Sequence, residues 1–157
     1  MSDAHDERLA LSIEEGVLLW SIRSWVMELR RPAGHEPRID DMLDRFGVPD
    51  AAPYLKGFMF ALSHGAARMI NVQCVCCTSI GEDERALLDV LGLAQALRPF
   101  EALLLLHGLV TPAGARAALC SAEGMGTVLA DAGRFLPAPE EEVRRYAIAT
   151  GSMYRPA

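Results

Sequence analysis

The chain has 157 residues and a mass of 17.1 kDa, with 51% hydrophobic and 23% charged residues, a composition that excludes disorder and suits one compact domain. Its formal net charge of −6 argues against a protein built to neutralise many phosphates, because nonspecific nucleic-acid affinity comes largely from counterions released at basic faces. Local arginine pairs, Arg30–Arg31 and Arg144–Arg145, lie near expected helix ends, where cations offset the dipole.

The opening stretch MSDAHDERLALS is acidic and polar, without the basic start and apolar run of a signal peptide. The longest leucine run, Leu103 to Leu106, is broken by His107 and Gly108 and falls far short of the ~20 apolar residues of a membrane span. The expectation is a flexible tail over residues 1–11, no membrane segment, and a cytoplasmic protein whose cysteines stay reduced or bind metal.

Ser12 with Glu15 makes a capping-box pattern that opens a helix to Arg31, stopped by Pro32 and Gly34. Its apolar residues, Val17, Leu18, Trp20, Ile22, Trp25, Val26 and Leu29, cover more than one stripe, as in a central core helix or one that a partner covers. Trp20 and Trp25 point to different sides, so this helix is also the expected homodimer surface.

Ile39, Met42, Leu43 and Phe46 form a short amphipathic turn that Gly47 stops, and Leu55, Phe58, Met59, Leu62, Ala66 and Met69 form a helical stripe over residues 52–69. His64 falls off that stripe, near Phe60 and Arg68. Ser79 with Glu82 offers a second capping box for a helix to Leu97, and Pro99 begins another through Leu106. Thr111-Pro112 caps the next, Ser121 caps a segment through Phe135, and Pro139 opens a last helix through Val143, Tyr146 and Ala147. The reading is an all-α, bundle-like single domain of about seven helices over residues 12–150, followed by a tail at 151–157.

The acidic clusters GEDE at 81–84 and PEEE at 139–142 fall in first turns of expected helices, where carboxylates stabilise free amides, and no histidine or phosphate loop completes a catalytic pair. No HExxH, GxSxG or Walker pattern occurs, so a non-enzymatic protein is expected. Residues 101–135 have a helix–turn–helix rhythm resembling winged-helix DNA binders. Ser121, Glu123, Thr127, Asp131 and Arg134 make a poor recognition face, so nucleic-acid binding ranks behind the readings based on the cysteines.

The chemistry concentrates in NVQCVCCTS, residues 71–79, where three cysteines fall within four positions. Cys74 and Cys77 have the C-x-x-C spacing that turns two thiolates toward one tetrahedral ion, with Cys76 as third ligand. A fourth would be His64, or alternatively Cys120 or His107. Zinc is expected ahead of an iron–sulfur cluster, which would need all four cysteines, including Cys120 from a segment that reads as packed. The function read from these residues is a small cytosolic regulatory or adaptor protein with a structural or sensory metal loop. The first alternative is a thiol-based redox protein using the same cysteines, with a helix N-terminus lowering the pKa of Cys76 or Cys77 against the opposing charges of Glu82, Asp83 and Glu84, and the second is a winged-helix-like DNA-binding regulator. His5 and His35 carry no reading beyond solvent exposure.

Overall fold

The computed structural model describes residues 5–30 and 38–139. The Pro32–Gly34 stop, His35, Arg31, the last helix beyond Pro139, Arg144–Arg145 and the tail at 151–157 lie outside the described residues. Within them the fold is all-α, with no strand: α1 Ile13–Leu29, α2 Ile39–Arg45, α3 Ala51–Gly65, α4 Glu82–Gln95, α5 Pro99–His107 and α6 Pro112–Asp131, preceded by a 3-10 turn at Glu7–Ala10. No helix is long and apolar enough to cross a membrane among the described residues.

The Ser12–Glu15 capping box opens α1 as its sequence requires: Ser12 Oγ accepts from Glu15 N–H and Glu15 Oε1 accepts from Ser12 N–H, both at 3.1 Å. The breadth of its apolar surface has an intramolecular cause, because α1 packs on α2, α3 and α4 together. Leu18, Leu19 and Ile22 are buried, and Trp20 and Trp25 pack partly exposed against the same core. Three helices end in the six-to-one bond of a Schellman motif: Val48 N–H to Leu43 O, Arg98 N–H to Leu93 O and Arg134 N–H to Leu129 O. The motif needs a left-handed residue. Gly47 (φ 85°) and Gly133 (φ 74°) supply it in two cases, and Leu97 does so at φ 60° in the third.

Six helices, rather than about seven, are the finding for the described residues. Ser121 starts no new helix, because α6 runs unbroken through it, and two of its glycines are contact positions. A Cβ on Gly124 would lie 2.2 Å from the Tyr54 ring, and one on Gly126 would lie 2.9 Å from Gln95 Cα. The three-helix rhythm over residues 101–135 therefore reduces to α5, one turn and α6.

The helix expected to reach Met69 stops at Gly65. Beyond it Ala66 bridges antiparallel to Val110, while Thr111 N–H donates to Gly65 O at 2.7 Å and Ala67 N–H to Leu109 O at 3.1 Å. The same point is a close helix crossing, since a Cβ on Gly65 would lie 2.7 Å from Gly114 Cα and one on Gly57 2.9 Å from Ser121 Oγ. Met69, expected in the buried stripe, is 81% exposed. The α3/α6 pair thus forms the centre of the core, with α4 and α5 packed against α6, and the chain between α3 and α4 is left free of helix to cross one end of the molecule.

Candidate functional site

That crossing segment, Ala66 to Gly81, carries the three clustered cysteines and is anchored by two acids in the first turn of α4. Asp83 takes Arg68 in a two-point contact, Nη1 to Oδ2 at 2.9 Å and Nη2 to Oδ1 at 2.7 Å, and also accepts Asn71 N–H at 2.8 Å. The Arg68 hydrogen bonds hold the Asp83 carboxyl below its ordinary range, with burial opposing and the Asn71 amide assisting. Glu84 takes Arg23 of α1, Nε to Oε2 at 2.6 Å and Nη2 to Oε1 at 2.9 Å, in a pair with 1% and 0% side-chain exposure.

Arg23 then reaches past Glu84 to the loop backbone. Its Nη1 donates to Cys77 O and its Nη2 to Ser79 O, each at 2.7 Å. Glu84 accepts Gln73 N–H at 3.3 Å and Gly81 N–H at 3.0 Å. The bond to Glu84 raises the Arg23 pKa although burial opposes it. The N-cap of α4 is therefore Gly81 with Glu84 reaching back, two residues beyond the Ser79–Glu82 box the sequence suggests. GEDE is a structural cluster as expected, but its acids hold arginines and loop amides as well as the helix start.

Within this frame the sulfurs are not equivalent. Cys77 N–H donates to Cys74 O at 3.1 Å across a turn centred on Val75 and Cys76, which brings the two C-x-x-C ends together as backbone. Cys74 Sγ lies 3.3 Å from Cys76 Sγ, and this contact raises the Cys76 thiol above its ordinary range. Cys77 Sγ turns instead to Ser79, 3.3 Å from its Oγ, and touches the Gln73 amide. The Ser79 hydroxyl and then its backbone N–H draw the Cys77 thiol down, with Arg23 assisting, while desolvation and Glu84 oppose. Gln73 satisfies both ends of its amide with the nitrogen toward Ser79 Oγ at 2.9 Å and the oxygen toward Gly81 N–H at 3.1 Å. Its N–H end then also faces the Cys77 sulfur.

Protein-family models, curated proteins and solved structures offer no match to this chain.

The structure does not gather the expected ligand set. No three His, Cys, Asp or Glu side chains come together as a metal site among the described residues. His64 stacks on Phe60, ring centroids 3.8 Å apart, with Nδ1 3.0 Å from Phe60 O. His107, the alternative ligand, is exposed at the end of α5. Cys120, expected to pack in the core, is exposed on α6 because Leu119 and Ala122 take the inward positions beside it. All four cysteines are free thiols, Cys77 partly exposed and the others exposed.

The residues missed by sequence reasoning are Arg23, Arg68, Gln73, Asp83 and Glu84 as loop anchors, and Glu7. Residues 7–10 of the expected tail are a 3-10 turn fixed to the loop, Glu7 N–H donating to Thr78 O at 3.0 Å and Ile80 N–H donating to Glu7 Oε2 at 2.6 Å. Arg8 in that turn is paired with Asp6. The only signal for Arg23 was its place in the chain, directly after Ile22 and between positions of a wide apolar helix surface.

Proposed function

We propose that the chain is a thiol-based redox protein in which Cys74 and Cys77 interconvert between dithiol and disulfide. The observation that carries this reading is the Cys77 N–H to Cys74 O bond at 3.1 Å across the Val75–Cys76 turn. A turn of this kind holds its end Cα atoms within about 7 Å, close to the span a disulfide accepts. Cys77, whose thiol is drawn down by Ser79, is the attacking group. Its thiolate displaces one thiolate from a low-molecular-weight disulfide and forms a mixed disulfide. Cys74, giving up its proton, then attacks the Cys77 sulfur and releases the second thiolate. Two electrons pass from the protein to the small disulfide, and the leaving thiolates take up the protons.

Zinc is the second reading, favoured by the Cys74 and Cys76 sulfurs lying side by side at 3.3 Å. It would use Cys74, Cys76 and Cys77 and needs a fourth donor from outside the present grouping.

Reduced protein treated with oxidised glutathione, digested and sequenced by mass spectrometry separates the two. The expected product is a Cys74–Cys77 linkage that Cys77→Ser abolishes. Failure to form any intramolecular disulfide, combined with uptake of one zinc per chain, would replace the redox reading with the metal one. Homodimerisation through α1 is a separate proposal, supported by the partly exposed Trp20 and Trp25. A monomer by light scattering at tens of micromolar, a range that catches moderate affinities, would overturn it.

A further inference from the structure

We infer that forming the Cys74–Cys77 disulfide releases the N-terminal turn at Glu7–Ala10, so that the redox state of the loop is reported at the start of the chain; this rests on the dithiol reading above.

Residues 77–80 are held along both edges. Their polar backbone atoms alternate as in an extended strand. Cys77 O and Ser79 O face inward to Arg23, each at 2.7 Å. Thr78 O and Ile80 N–H face outward, to the Glu7 amide at 3.0 Å and the Glu7 carboxylate at 2.6 Å. One short strip thus has the buried core on one edge and the N-terminal turn on the other.

Disulfide closure acts on the first residue of that strip. The Cys77 sulfur leaves Ser79 Oγ and Gln73, which it touches in the reduced protein, and the Cys74 and Cys77 Cβ atoms must approach to about 3.8 Å. The strip has to shift, and its two edges differ in strength. The inner edge ends on a guanidinium buried with Glu84 at 1% and 0% exposure, where an abandoned bond leaves an unsatisfied buried group. The outer edge is at the surface, where water replaces what is lost. Glu7 therefore yields and Arg23 holds.

The test uses the full chain, reduced and after oxidation with oxidised glutathione, with the disulfide located by mass spectrometry. Hydrogen exchange is read at residues 7–10, and trypsin cleavage after Arg8 is followed in parallel. Oxidation is expected to speed exchange at Glu7 by about tenfold, the factor that corresponds to losing a surface hydrogen-bonded contact, and to hasten the Arg8 cut. Cys76→Ser keeps the response and Cys77→Ser loses it; should the latter fold poorly, Cys74→Ser serves. Glu7→Gln gives the fast exchange already in the reduced state and little further change on oxidation. A confirmed Cys74–Cys77 disulfide with unchanged exchange at Glu7 overturns this inference and leaves the dithiol reading standing. If the disulfide never forms, both fall.

Discussion

The Arg23 guanidinium makes four hydrogen bonds, two to Glu84 and one each to Cys77 O and Ser79 O. Arg23→Met strands a buried carboxylate and two carbonyls, and is expected to cost about 3–5 kcal/mol by urea denaturation. Adding Glu84→Leu removes the stranded charge and recovers only part of the loss, because the carbonyls still lack a donor; full recovery would show that they do not matter. Asp83 sets a pH dependence. Its folded pKa is depressed, so its contribution is present above the ordinary carboxyl pKa and is lost as pH falls through the folded value. Asp83→Asn is expected to flatten the acid side of the stability profile. Neither Arg23 nor Arg68 was legible as an anchor, since an arginine in a helix or loop ordinarily reads as a solvated charge and its partner lies in another element. The cysteine turn was legible in spacing alone, whereas the direction of each sulfur depends on Gln73 and Ser79, whose contacts no periodicity encodes.

At the scale of elements, the glycines divide by what surrounds them. A Cβ on Gly114 would meet Gly65 Cα at 2.9 Å, while one on Gly16 in α1 has nothing within 4 Å. Gly114→Ala is therefore expected to destabilise by about 1–3 kcal/mol through overpacking. Gly16→Ala should stabilise by about 0.5–1 kcal/mol through helix propensity, both measured by thermal unfolding. Leu97 holds a left-handed position at 84% exposure, so Leu97→Gly removes backbone strain at little loss of burial and should stabilise by about 1 kcal/mol. Helix positions were mostly legible, because apolar periodicity and the caps at Ser12 and Thr111 are local signals. Three boundaries were not, the end of α3 at Gly65 among them. Glycines at 124 and 126 weaken a helix in isolation, yet Tyr54 and Gln95 need them where α6 touches α3 and α4. The Ser79–Glu82 box competes with Gly81–Glu84, and the latter prevails because Glu84 also binds Arg23.

Among the described residues, polar side chains join backbone bonds in fastening the irregular segments. Gln95 donates to Gly126 O at 3.2 Å and Arg134 O at 2.9 Å and accepts Leu136 N–H at 2.6 Å, which seats the chain after α6 against α4. Gly92 allows that approach, since a Cβ there would lie 2.2 Å from Pro137 O. Arg134 lies over the Phe46 ring at 3.8 Å and donates to Phe46 O at 3.1 Å, tying the same segment to α2. The all-α class was legible because hydrophobic spacing survives in composition and order. The way the loop and the N-terminal turn close on the helices was not, because these closures depend on single polar groups and partners tens of residues away.

The Arg23–Glu84 pair also has a consequence in time. Its members stand 61 residues apart, so at a synthesis rate of about 5–20 residues per second Arg23 waits about 3–12 s for its partner to be made. Closing so long a loop around two charges is costly until the surrounding helices have excluded water, which places the pair late in folding. Interactions formed after the transition state govern how fast a protein comes apart rather than how fast it assembles. In stopped-flow measurements Arg23→Met is accordingly expected to accelerate unfolding while leaving the refolding rate nearly unchanged, and a refolding rate that fell in proportion to the lost stability would place the pair in the nucleus instead.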